Sequence, residues 1–236
     1  MSLTLKVGDN DFEKLAVGTY LGTCFRMVDL GTQDTEYNGE KSKKKLIRLD
    51  FEIAESLEPE GNEVNMADGR PFGISRTYTA SLFESANLRK ELESWRGRSF
   101  TEKELEGFET DQLLGCTARI EVGLTQKTLQ FAGGNPKILK LMRPDGGVEK
   151  VATINPQVAF DMSIYCDEFN GNSSSDTKAM CDVFEELLPF IKETVEKSYE
   201  YRAAVEKGDR TPATEEPSES LADLATDTED KEDLPF

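Results

Sequence analysis

The 236-residue chain contains no histidine, which excludes imidazole acid/base chemistry, histidine metal ligation and Ser-His-Asp triads. Its four cysteines, Cys24, Cys116, Cys166 and Cys181, are too dispersed for a zinc ribbon or a redox pair and read as buried free thiols in a reducing compartment. No run reaches the roughly 18 apolar residues that span a bilayer, and Met1-Ser2-Leu3-Thr4 carries no basic stretch leading into an apolar one. The expectation is a soluble, unexported protein of the cytoplasm with no membrane partner. Gly133-Gly134-Asn135-Pro136 lacks the lysine and hydroxyl of a phosphate-binding loop and reads as a turn. Asp182, Glu185 and Glu186 lie opposite apolar positions and read as a solvated helix face, not a magnesium site. No nucleophile has an activating partner, so the reading is of a non-enzyme with no catalytic residue, metal or cofactor.

What is abundant is acid. The formal charge is -18, with 46 acidic against 28 basic residues, yet its distribution is uneven. Residues 209–236 hold ten acids and two bases, and 161–201 hold ten acids and three bases. The middle reverses this: 70–98 and 119–150 each carry six bases and three acids, and Lys41, Lys43, Lys44, Lys45 and Arg48 form another basic group. An acidic total can coexist with a local positive face because salt screens distant charge.

Segments 19–30 and 45–54 read as strands around the turn signal Asn38-Gly39, giving a long hairpin with a lysine-rich outgoing arm. A third strand is expected over 71–80, with Ile74, Arg76 and Tyr78 sharing a face. Ser81 and Glu84 have capping-box spacing before a helix over 82–95 that ends at Gly97; Thr101 and Glu104 open a second. Strand 116–122 follows, then a hairpin of 138–143 and 148–154. From Asp176 the apolar spacing is helical, divided by Pro189. Beyond Gly208 the composition predicts disorder.

Three strands, a helix and further strands match the order of the OB-fold, a five-stranded Greek-key barrel with a helix between strands 3 and 4. Another α+β domain with a β-meander fits the same order. The expected organisation is a nucleic-acid-binding barrel over 1–160, an acidic helical extension over 161–207 packed on or beside it, and an acidic interaction tail over 208–236. The basic residues Lys43, Lys45, Arg48, Arg70, Arg76, Arg96, Arg98, Arg119, Lys127 and Lys137, with Tyr78 and Phe131 as stacking platforms, are the candidate groove for single-stranded nucleic acid.

The end of the chain, Glu232-Asp233-Leu234-Pro235-Phe236, resembles the acidic tip of bacterial single-stranded-DNA-binding proteins. Phe72-Gly73-Ile74-Ser75-Arg76-Thr77-Tyr78-Thr79, with Leu88-Arg89 and Glu93-Ser94-Trp95-Arg96-Gly97-Arg98, resembles a family of bacteriophage OB-fold proteins that bind single-stranded DNA. The resemblance implies a protein that coats unwound phage DNA without sequence preference during replication and recombination. It also implies recruitment of replication or recombination proteins through Asp230, Glu232, Asp233, Leu234, Pro235 and Phe236. In such a contact a pocket takes the Phe236 ring while basic residues meet the acids. The linker is shorter than the bacterial one and a helical segment is inserted, so tetramerisation does not carry over; the helical segment can instead pack on the barrel or pair two subunits as a homodimer. The competing reading is a phage OB-like acidic interaction or inhibitor protein that mimics DNA and captures a host enzyme.

Overall fold

The computed structural model describes residues 13, 15–37, 39–123, 137–139 and 150–208. The expected stacking residue Phe131, the cation Lys127 and the tail from residue 209, including its tip, lie outside them. The framework is a long antiparallel hairpin of β1 (Gly18–Tyr37) and β2 (Glu40–Ser56). Gly39, at φ 82°, supplies the left-handed turn conformation expected at this position. β3 (Gly73–Thr79), β4 (Thr117–Val122) and β5 (Lys137–Leu139) extend the sheet in the order β3-β2-β1-β4-β5, and β6 (Val158–Phe160) pairs in parallel with Arg26–Val28 of β1.

Side-chain alternation fixes what each face of β2 carries. Ile47, Leu49, Phe51 and Ile53 enter a first core with Tyr20, Cys24, Ile74, Tyr78 and Ile120. α1 (Asn87–Arg96) closes this core through Leu88, Leu92 and Trp95, whose ring lies 5.4 Å from Phe51. The Trp95 indole N–H donates to the Thr117 carbonyl at 2.9 Å, tying the helix to β4. The opposite part of the hairpin, through Val28 and Leu30, meets a second core formed by α3 (Met162–Asp167), α4 (Ser175–Glu186), α5 (Pro189–Glu196) and α6 (Tyr199–Gly208). Pro189 occupies the first turn of α5, where its missing N–H costs nothing, so it separates α4 from α5.

The expected OB-fold barrel is not what forms. Closure requires a ladder joining the ends of the strand order, β3 to β5, and among the described residues none is present. The sheet is open, and the physical reason is its covering: α1 on one side and α3–α6 on the other bury apolar surface from both faces, which a mixed α/β layering achieves without rolling the sheet. The barrel assignment and the resemblance to OB-fold single-stranded-DNA-binding proteins are therefore corrected.

Two local expectations also change. Helix α1 begins at Asn87 behind Ala86, with no side-chain cap. Ser81 instead accepts from the Phe83 amide at 3.3 Å, holding a turn that delays the helix. The described part of the expected strand 148–154 is not a strand. Its backbone polar groups bond to side chains of the sheet: the Val151 amide donates to Thr117 Oγ1 (2.9 Å), and the Val151 carbonyl accepts from Thr23 Oγ1 (2.8 Å). By contrast, the capping box of α2 (Glu102–Glu106), Thr101 with Glu104, forms as its spacing predicts, and Gly97 ends α1 in the left-handed region.

The polar face of β2 anchors the cover. Asp50 and Glu52 are both buried, each about 3% exposed. Asp50 is forked by Arg26 (2.6 Å) and Arg48 (2.7 Å). Glu52 accepts from the amides of Ile154 (2.7 Å) and Asn155 (2.8 Å) and from Asn155 Nδ2 (2.6 Å). Because three donors converge on one buried carboxylate, Glu52→Ala is expected to destabilise the fold by about 3 kcal/mol. Urea unfolding of the two proteins checks this.

At the far end of the hairpin, Glu200 of α6 accepts from the Thr32 amide (2.7 Å) and hydroxyl (2.6 Å). Gly31 permits this contact: at φ 66°, a Cβ there would sit 2.7 Å from Ser198 Cβ and 2.8 Å from Glu200 Oε2. Burial acts to raise the Glu200 pKa, but the two Thr32 bonds and the Lys45 charge overcome it, leaving the group below its ordinary 4.5. The fold thus prefers the carboxylate. Its stabilisation is complete at neutral pH and is lost as pH falls through 4.5 and below. Glu200→Gln is expected to lower the Tm by about 2–4 °C at neutral pH. That difference should shrink towards zero at about pH 3, read by thermal unfolding at the two pH values.

Candidate functional site

The cations singled out in the sequence are distributed over several surfaces, and most are already matched to carboxylates. Arg76 on β3 pairs with Glu91 of α1 at 2.6 Å, and Arg70 with Asp68 at 2.6 Å. Arg96 and Arg98 both bond Glu104, the latter at 2.8 Å. Lys45 pairs with Asp29 (2.9 Å), and Arg119 lies 3.5 Å from Glu121. Lys43 sits over the Tyr199 ring at 3.8 Å, and Arg48 extends from Asp50 over Phe190 at 5.1 Å. Lys137 opens β5.

By register, Arg48 stands opposite Thr77 whereas Arg76 stands opposite Leu49, so the two arginines occupy opposite faces of the sheet. Tyr78 is 4% exposed, and its hydroxyl donates to Glu91 at 2.5 Å. It is a core residue with a polar tip, not an open stacking surface. Burial, together with the Glu91 charge, pushes its hydroxyl pKa up. Burial likewise raises the Glu91 carboxyl, against the opposing influence of the Tyr78 bond and the Arg76 charge.

The function inferred from the barrel is corrected with it. Single-stranded DNA coating was inferred for an OB barrel with its groove, and the open sheet supplies no such barrel; the acidic DNA-mimic alternative loses its OB-like scaffold with it.

The most extensive concavity among those described lies instead along the outer edge of β3. It encloses about 750 Å³. One wall is the part of the hairpin that projects past β3, with Thr35, Glu36, Lys44 and Leu46; the other is the turn 81–87 with Ser81, Phe83 and Asn87. Phe83 is 81% exposed beside it. Ser75, Thr77 and Thr79 of β3 line it as well.

Backbone direction makes this edge chemically active. The Ala80 amide donates to the Lys45 carbonyl (2.8 Å) and the Ile53 amide to the Phe72 carbonyl (2.9 Å). In an antiparallel ladder with this register, even-numbered residues of β3 bond to β2, and the N–H and C=O groups of Ser75 and Thr77 point outward. The edge is bounded at one end by the Phe72 amide bonding the Val64 carbonyl and at the other by the Ser81 amide bonding the Thr79 carbonyl. Between these limits β3 has no proline or bulge, and its one charged residue, Arg76, is turned to Glu91 of α1. This edge was not visible in the sequence, where the segment reads as one more strand; only the pairing of the described strands leaves one side open.

Compared with protein-family models, curated proteins and solved structures, the chain matches none. Among the described residues, no helix is long and apolar enough to cross a membrane.

Proposed function

We propose that this chain is a non-catalytic protein-interaction module that captures an extended segment of a partner polypeptide by strand addition along β3. The observation that carries the reading is the edge at Ser75 and Thr77, which no described residue pairs with and which lines a groove. A row of outward amides and carbonyls is complementary to another strand, with main-chain bonds supplying affinity and alternate side chains supplying selectivity.

The walls favour a single extended chain over a second copy of this protein. Two copies would have to bring two such edges together past two projecting hairpins and two turns bearing an exposed Phe83. The lining is rich in hydroxyls, with one acid, Glu36, and one lysine, Lys44, alongside the Glu91-bound Arg76. The partner segment is therefore close to neutral, with small polar side chains towards β3 and an apolar one against Phe83.

A blocked heptapeptide of alternating Thr and Val is a suitable probe for NMR titration of the full chain. Binding at about 1 mM or tighter should shift the Ser75 and Thr77 amide signals and slow their hydrogen exchange. Thr77→Pro removes one outward N–H and leaves the β2 ladder intact, a replacement edge strands tolerate. It should abolish the response with little change in Tm. Equal binding by the Thr77→Pro protein, or no shift at Ser75 and Thr77 up to about 10 mM peptide, would overturn the reading.

A further inference from the structure

A second cavity, sharing no lining residue with the β3 groove, lies between the C-terminal end of α1, α2, the 3-10 turn Thr110–Leu113 and the start of β4. It encloses about 280 Å³. Trp95, Phe108 and Leu113 provide apolar wall, while Arg96, Arg98 and Lys150 provide charge. Glu104 is the one carboxylate in that lining.

The charge balance is uneven, and the geometry shows why Glu104 cannot correct it. Its oxygens accept from Arg98 (2.8 and 2.9 Å), from Arg96, and from the amide and hydroxyl of Thr101 (2.9 and 3.1 Å). The Arg98 bonds and the other donors hold its pKa well below the usual carboxylate range, so it remains a saturated anion. Arg96 is pinned on its other side by aromatic rings, its guanidinium carbon 4.4 Å from the Phe100 centroid and 5.5 Å from that of Phe108. Its Nη1 is nevertheless buried with no hydrogen-bond partner among the described residues. The cations left accessible in the lining are Arg98, 55% exposed, and Lys150, and the lining offers no further carboxylate for them.

We infer that this cavity binds a small carboxylate carried on a single aromatic ring. The carboxylate would meet the exposed side of the Arg98 guanidinium, for which its planar shape is matched, and the Lys150 ammonium, and the ring would lie against Trp95, Phe108 and Leu113. The volume falls just below the roughly 300–1,000 Å³ of drug-sized sites, which suits one ring. The apolar wall distinguishes this ligand from inorganic phosphate, which would leave it uncovered.

Trp95 is the chain's single tryptophan and lines the cavity, so its fluorescence reports occupancy in the full-length protein. Phenylacetate should change the emission saturably, and phenylacetamide should bind at least about ten-fold more weakly, having lost the charge-assisted bonds. Inorganic phosphate should neither produce the change nor compete at equal concentration. Arg98→Gln should weaken phenylacetate about five- to ten-fold. Its side chain is 55% exposed, so the Tm should stay close to wild type. Arg70→Gln, distant from this lining, should leave binding unchanged. The inference is overturned by no saturable response at about 10 mM phenylacetate, by equal binding of the amide, by undiminished binding to Arg98→Gln, or by phosphate competing as well as phenylacetate does.

Discussion

Burial of one hairpin from both sides is the constraint on which the remaining structure depends. β1 pairs along most of its length with β2 on one edge and with β4 and β6 in succession on the other. Irregularities between Leu21 and Gly22, Cys24 and Arg26, and Asp29 and Gly31 redirect its side chains along the way. Tyr20 and Cys24 consequently enter the core beneath α1, whereas Val28 and Leu30 enter the core beneath α3–α6. Among the described residues neither helical layer has another sheet to rest on. Their apolar residues become a core only because this ribbon is long enough to serve both.

Two-sided burial creates a problem that the polar residues of β2 solve. Once the second layer covers the strand, any charge on that face must be matched or the cover will not form. Arg26 and Arg48 surround Asp50, and the 154–155 backbone with the Asn155 amide surrounds Glu52. These contacts specify where the segment leading to β6 and α3 crosses the sheet. Apolar contacts alone would position it with less directional constraint.

Much of this was readable locally, and the unread part has a common cause. The left-handed Gly39 of the hairpin, the Thr101–Glu104 capping box, the left-handed Gly97 and the break at Pro189 are set by neighbours within a few residues. Sheet closure depends on whether β3 meets a strand some sixty residues later, and no local pattern encodes that. The Ser81–Glu84 spacing had the form of a helix start, but Ser81 satisfied a turn amide instead. Local charge surplus is cancelled for the same reason: Arg76 and Arg89 find Glu91 and Glu93 inside the basic stretch 70–98, while Arg70, Arg96 and Arg98 find Asp68 and Glu104 just outside it. A surplus of bases in a stretch of sequence is not a surplus of positive field once the chain has folded.

After such pairing, the informative positions are those where a general rule of folded proteins is broken without local compensation. Most of the nominated cations have a carboxylate, and most strand edges in folded proteins are short, charged or covered. Among the described residues β3 keeps an unpaired edge along a groove, and the cavity beside Trp95 keeps three cations against one carboxylate that is already full. Each departure is energetically unfavourable in the isolated chain, and each lies against a cavity. A sequence that satisfies Asp50 and Glu52 so completely has the means to satisfy these groups as well. Their remaining unmatched points to ligands that complete them, because local consistency is characteristically relaxed where a protein meets something else.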